Sequence, residues 1–591
     1  MIAFLRWLRS IMAAVLNGIA KFAFLLILIF VVLLVIGLAQ GDGLPKNTVL
    51  TLDLRQAVAD SAVSSLSLGG QQQTVMNLVF ALDNASRDGR IKGVVMRLGN
   101  GALSLAEAEE ISGALHRFRD HKKFVIAQAT GFLTSGLGDY VAAVAADEIW
   151  VQPRSDFKVS GGAVGGLFVR GLLDKIQAEP QMAKRAEYKS AADMYMEKSM
   201  TDADKEQLEQ VTKSWSDAAV AQVAADRRLD PAKVRAAFDE SPQFAEDAKA
   251  KGLVDRIGYD DDALGAALGR AGNGAKPFKI TDYIKAQDFN TAYGANLAVI
   301  EAAGEIVDGT AKGDIFSTGA GIASDDLSEA IRQAAREPGI KAIVLRVDSP
   351  GGSVTASDQI LDAVKKAQAK GKPVVVSMGG LGASGGYYIS ASANKIVAQP
   401  GTLTGSIGVL TGKVAIGKSL NLAGVELNEV ASGKNTMMDS TIQPYTPEQW
   451  ALLNHQADVI YDDFLHKVAA GRKLPFEQVQ AAAKGRVWTG ADARSRGLVD
   501  GLGGFWTAAG MAAQLGGMSQ DQIAIKIYPR RRGLVESLGN LMGQSRASMK
   551  ALEGLQTLMA LPGVQGLVGA LAEAPRGRVE LRATNLPRQL P

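Results

Sequence analysis

Ser384 stands in Leu381-Gly382-Ala383-Ser384-Gly385-Gly386-Tyr387-Tyr388, where small residues on both sides leave its hydroxyl accessible. The stretch reads as a strand-to-helix junction, and a helix N-terminus there adds positive potential for a developing oxyanion. Upstream lies Arg346-Val347-Asp348-Ser349-Pro350-Gly351-Gly352-Ser353, with Gly352 placed 32 residues before Ser384. Its paired glycines let the backbone turn sharply and aim amides outward without a Cβ clash. Taken singly, each stretch is equally well a turn of an α/β fold, with Ser384 capping a helix. Together they supply the two needs of acyl transfer, a hydroxyl nucleophile and amide donors for the charge it creates.

A serine nucleophile needs a base. The four histidines, His116, His121, His455 and His466, all fall in polar helical surroundings away from the glycine loops. That argues against a Ser-His-Asp arrangement. A lysine can serve when burial lowers its pKa from about 10.4 towards neutrality, so that the free amine takes the serine proton. The absence of cysteine excludes a thiol nucleophile, disulfides, iron-sulfur clusters and thiolate zinc sites. No metal cluster is visible in the sequence and no cofactor is implied.

The elements that must hold these residues alternate between short β-branched runs and amphipathic helical stretches, which predicts α/β architecture with buried parallel strands. Val344 to Val347 and Val374 to Val376 are such runs, and Ala356 to Ala369 between them carries Ile360, Leu361, Val364 and Ala367 at helical spacing. The same order recurs upstream. Ile91-Lys92-Gly93-Val94-Val95-Met96-Arg97 matches Ile340-Lys341-Ala342-Ile343-Val344-Leu345-Arg346 at an offset of 249. Gln152-Pro153 matches Gln399-Pro400 at 247, and Gly252-Leu253-Val254-Asp255 matches Gly497-Leu498-Val499-Asp500 at 245. Each unit also carries a long polar helical segment, Thr201 to Ala225 and Thr446 to Ala470. A drift of four residues marks one tandem duplication of about 250 residues, too long a period for a solenoid. The register puts Leu137 opposite Ser384, so one copy has lost the hydroxyl.

With 591 residues, length alone suggests three or four domains, and a net charge of +3 gives no case for nucleic acid as a partner. Residues 22–39, FAFLLILIFVVLLVIGLA, form an unbroken apolar run long enough to cross a bilayer at about 1.5 Å per residue. Arg6, Arg9 and Lys21 precede it, which predicts a cytoplasmic N-terminus with the bulk of the chain across the membrane. The competing cleaved signal peptide would have a shorter apolar stretch and a better small-residue cleavage site. The expected layout is 1–45 N-terminus and anchor, 46–290 first unit, 291–528 second unit with the junction near 285–295, and 529–591 tail. In the tail, Arg530-Arg531-Arg532 introduces Leu534, Val535, Leu538, Leu541 and Met542 at helical spacing, to lie on a membrane or pack on a neighbour.

Four motifs then carry a resemblance: Asp348-Ser349-Pro350-Gly351-Gly352-Ser353, Ala383-Ser384-Gly385-Gly386-Tyr387, Thr402-Leu403-Thr404-Gly405-Ser406-Ile407-Gly408 and Gly485-Arg486-Val487-Trp488-Thr489-Gly490. Over roughly residues 46 to 528 the chain resembles the signal peptide peptidase A (protease IV) family in its long, two-domain form. The resemblance implies tandem ClpP/crotonase-like α/β domains behind an N-terminal transmembrane helix, and a Ser-Lys dyad with Ser384 as nucleophile. It implies Lys189, in Tyr188-Lys189-Ser190-Ala191 of the first unit, as general base, and Ser406 as the residue orienting its amine. Amides of Gly385 and of Gly351 or Gly352 would form the oxyanion hole. Lys434 is the competing base, because the offset of 245 places it opposite Lys189 and single-domain relatives draw both dyad residues from one repeat; the offset of 247 would put Thr436 there instead.

The implied protein is a homotetrameric serine endopeptidase of the bacterial inner membrane, single-pass through residues 22–39, with its catalytic domains on the periplasmic side. It would degrade cleaved signal peptides and other apolar peptides. A crotonase-type acyl-CoA hydratase or isomerase, which would need carboxylates near the amides and a cytoplasmic chain, and a non-catalytic membrane scaffold are the alternatives.

Overall fold

Two parallel sheets follow from the two sets of β-branched runs. The computed structural model describes residues 43–61, 73–133, 136–287, 289, 294–310, 321–528 and 580–582. The apolar run 22–39 and the tail residues 530–542 lie outside the described residues, among which no helix is long and apolar enough to cross a membrane.

In the first unit, six parallel strands run in the order Arg256–Ile257, Glu148–Val151, Phe124–Ala129, Ile91–Leu98, Thr48–Asp53, Lys276–Lys279. In the second, the central strands Val374–Ala383, Ala342–Ser349 and Leu297–Ala303 are likewise parallel neighbours. Lys395–Ala398 and Leu403–Gly405 both pair with Val374–Ala383, on the side away from Ala342–Ser349. Buried on both faces, these strands read as continuous apolar runs rather than alternating ones. The helices correspond as well. Leu105–Asp120 and Val354–Ala369 each have 16 residues and a serine N-cap, and Asp202–Arg227 and Pro447–Arg472 each have 26 and a threonine N-cap. The duplication seen in sequence is thus a duplication of elements.

The units share one apolar core, in which Phe80 and Phe505 meet edge-on at 5.1 Å. Arg346, on the strand leading to the glycine loop, is fully buried and bonds Asp60 and Glu110 of the first unit, with Asp60 Oδ2 at 3.0 Å and Glu110 Oε2 at 2.8 Å. Breaking such a buried pair from one side costs about 3–5 kcal/mol, because the remaining charge is left in a dry interior. These contacts fix the second unit's glycine-loop strand against the first unit.

A third sheet joins the units. Glu179–Arg185 of the first unit pairs antiparallel with Val409–Ala415 of the second, in register from Val409↔Arg185 to Ala415↔Glu179. Glu580–Arg582, from far along the tail, lies antiparallel to Gly351–Ser353 and also pairs with Val409–Ala415.

Candidate active site

Ser384 follows the strand Val374–Ala383 and immediately precedes the helix Gly385–Ser390. Its φ is +55, a conformation that costs a non-glycine residue energy and is held here by the surrounding structure. Its amide donates to Gly405 O at 2.9 Å. The helix-cap reading of the side chain does not hold, since Ser384 makes no side-chain cap bond. Its Oγ instead lies 2.7 Å from Lys189 Nζ.

Lys189 is buried and reaches across from the first unit. Besides Ser384, its Nζ meets Ser406 Oγ at 3.0 Å and Ser406 O at 3.1 Å. Burial, with no compensating carboxylate, lowers its pKa to about 7. A neutral amine has one lone pair and two hydrogens. The lone pair can accept from Ser384 Oγ–H while the hydrogens are donated to Ser406 Oγ and O.

Several second-unit groups bring the lysine there. Tyr188 N donates to Lys484 O at 3.1 Å. Gln207 Nε2 donates to Tyr188 O at 3.2 Å while its Oε1 accepts from Val487 N, also at 3.2 Å, so one amide side chain ties both units. Arg486 stacks 4.6 Å above the Tyr188 ring, and both groups bond Glu206. A Cβ on Gly485 would fall 2.6 Å from both Lys189 Cβ and Lys189 N, so only glycine admits the lysine backbone at this distance. Gly485 and Arg486 open a motif noted in the sequence without a role. Gln207, in a polar helix, gave no signal.

The glycine loop closes the other side. A Cβ on Gly385 would meet Gly351 Cα at 2.9 Å and Gly352 N at 3.0 Å, so the two glycine segments are in direct contact. Gly351 N already donates to Ser349 Oγ at 3.2 Å, and Gly352 stands in the third sheet between Ile306 and Leu581.

The remaining candidates lie apart. Lys434 is exposed. His116 pairs with Asp226, His121 and His466 bond carbonyls of their own helices, and His455 is exposed. Leu137 is buried as the first residue of the helix Leu137–Ala143, the counterpart of Gly385–Ser390.

The arrangement can do the chemistry of a hydrolase, with a serine hydroxyl beside a buried amine, and comparison with known proteins points to a serine protease. The model of Peptidase family S49 matches residues 117–271 and again 366–519, and that of Clp protease matches 322–402. The chain is 33% identical to "Protease 4" of Salmonella typhi over 95% of its own length and 94% of that protein's. It is 32% identical to "Serine protease SPPA, chloroplastic" of Arabidopsis thaliana, covering 79% of this chain and 69% of that one. To "Putative signal peptide peptidase SppA" of Enterococcus faecium it is 32% identical over 29% of this chain and 50% of that one. With two tandem matches to the same model and full-length relatives, the chain belongs to Peptidase family S49 as a two-domain, ClpP-like serine protease.

Proposed function

We propose that the chain is a membrane-anchored endopeptidase whose working site is the one between its units, with Ser384 as nucleophile and Lys189 as general base. The observation that carries this is the buried amine 2.7 Å from the serine oxygen. Ser384 Oγ attacks a peptide carbonyl as its proton passes to Lys189 Nζ, and the Gly352 and Gly385 amides hold the oxyanion. Collapse breaks the C–N bond, the leaving amine takes the proton back from Nζ, and an acyl-enzyme remains. Water, deprotonated by the same amine, then releases the acid. Ser406 keeps the amine aimed at Ser384.

Peptides would lie extended beside Gly351–Ser353, and the antiparallel pairing that Glu580–Arg582 makes there supports that mode. The substrate class we assign is apolar peptides, released signal peptides among them, in line with the names of the relatives. Residues 22–39 would anchor the chain in a bacterial inner membrane with both units on the periplasmic side, and copies would assemble as a homotetramer. The acyl-CoA hydratase reading needs a carboxylate facing the amides, whereas a serine and a lysine meet there.

Labelling the purified protein with a fluorophosphonate probe and mapping the modified peptide tests the assignment. Modification at Ser384, lost in Ser384→Ala together with peptide hydrolysis, is expected. Full hydrolysis by Ser384→Ala would end it. A reporter fused at residue 300 should read as non-cytoplasmic, and a cytoplasmic signal would overturn the topology.

A further inference from the structure

The pairing of Glu179–Arg185 with Val409–Ala415 unites the two units of one chain. Because the chain is duplicated, each of these strands has a counterpart in the other unit. The offset of 247 holds locally, since the helix Arg170–Lys175 falls on Gly417–Leu422. The turns that follow also match. Gln177 has φ +55 and Ala178 N donates to Leu173 O at 2.9 Å, while Gly424 has φ +72 and Val425 N donates to Leu420 O at 2.9 Å. Residues 162–168 of the first unit therefore correspond to the receiving strand, and residues 426–432 of the second to the strand that adds to it.

Neither counterpart is a strand within the single chain. Both carry uncovered apolar side chains, with Leu167 70% exposed, Leu427 50% and Val430 93%. Such residues on segments outside any sheet mark surfaces that another chain covers.

We propose that residues 426–432 of one copy add antiparallel to residues 162–168 of a second copy, repeating between chains the pairing made within one. The intrachain register transfers directly. Val414↔Pro180 becomes Leu167 opposite Leu427, and Thr411↔Ala183 becomes Val164 opposite Val430, so apolar side chains meet. The close approaches transfer too. Within the chain, a Cβ on Gly408 would collide with Arg185 O and one on Gly412 with Gln181 O. Their counterparts, Gly161 and Gly165, are again glycine. The helices beside the two segments extend the apolar edge through Leu172, Ile176 and Leu422, all exposed.

The donor and acceptor surfaces differ, so the contact is head-to-tail and generates a ring when the rotation per copy closes. At each such junction Leu137 stands where the serine would be and Thr436 corresponds to the lysine at this offset, so serine sites within chains alternate with silent ones between them. The proposal stands apart from the serine chemistry, because it rests on the register of the repeat and on exposed apolar side chains away from Ser384 and Lys189.

The natural chain has no cysteine, which makes disulfide trapping clean. Full-length Leu167→Cys and Leu427→Cys, purified separately, should give a covalent dimer on mild oxidation only after mixing, since directly opposed Cβ atoms are about 4.5–5.5 Å apart. The double variant should give a ladder beyond the dimer. Asn428→Cys, one residue along and on the opposite face, should not couple to Leu167→Cys. Failure of the 167–427 pair to couple, or equal coupling of 167 with 428, would overturn the register. As a second measurement, Leu427→Asp should lower the molar mass found by light scattering in detergent. A wild-type chain that is monomeric there would overturn the contact altogether.

Discussion

The glycine loops of the two units, residues 99–104 and 348–353, both gather backbone amides, and they differ in what the amides hold. In the first unit the Asp139 carboxylate accepts from Gly99 N at 2.7 Å, Gly101 N at 2.9 Å and Leu103 N at 3.2 Å. In the second unit the residue aligned with Asp139 is Gly386, the one aligned with Leu103 is Gly352, and the loop faces Ser384. Burial raises the Asp139 pKa above the ordinary carboxylate value, and the amide bonds offset that only in part. Cluster geometry alone therefore does not make a catalytic site. A resident carboxyl group turns the first loop into scaffolding, and the second loop has a glycine in its place.

The strongest way to break this comparison is to remove the amine. Lys189→Ala should lower kcat by about 10³-fold or more, the upper range for loss of a general base, while Lys434→Ala stays near wild type. The reverse result would move the base into the second unit. Ser406→Ala should cost less than Lys189→Ala, since it orients the amine without replacing it.

Gly485→Ala should cost about 100-fold, because the new Cβ pushes the Lys189 backbone away and a misplacement of about 1 Å is enough for that loss. Gly371 has the same φ of +76 with nothing within 4 Å, so Gly371→Ala carries the backbone strain without the contact and should keep activity. Equal losses in both would assign the effect to strain.

The pH profile gives about a tenfold change per unit. With the Lys189 pKa lowered to about 7, the amine is protonated and inactive below that value and free above it. The ratio kcat/KM should therefore rise about tenfold per pH unit up to near 7 and then level off. A rising limb that persists towards the ordinary lysine range would show that the amine is not desolvated in solution.

Removing residues 576–591 should lower KM by about threefold to tenfold with kcat unchanged, as substrate no longer competes with Glu580–Arg582 for pairing beside Gly351–Ser353. An unchanged KM would place that strand away from the substrate path. The smallest effect expected is none. In a Ser384→Ala background, Leu137→Ser should take up no fluorophosphonate, since Asp139 already holds the amides of its loop. Labelling at position 137 would sink the distinction between the units.

The serine, its glycine surroundings and the duplication were legible because each rests on local rules. Close backbone approach favours glycine, buried parallel strands favour β-branched runs, and helix N-caps favour serine or threonine. Lys189 came only through a motif resemblance, and the structure places it rather than Lys434 against Ser384. Of the two glycines offered for the oxyanion, Gly351 N is held by Ser349 Oγ and Gly352 pairs with Ile306 and Leu581, contacts that no local pattern announces. Asp139, Gln207 and Gly485 were missed as positioning groups, because each acts on a partner more than 15 residues away in sequence.

By itself, then, the sequence determined two α/β units, one of them with a serine on a glycine turn and the other with leucine there. The tertiary structure alone decided which amine lies against Ser384, what the loop glycines bond and where the first unit enters the second. The physical reason is that a lysine is neutral only where several segments together exclude water, and an amide is available only where nothing else has claimed it. Both conditions are set by contacts between distant parts of the chain.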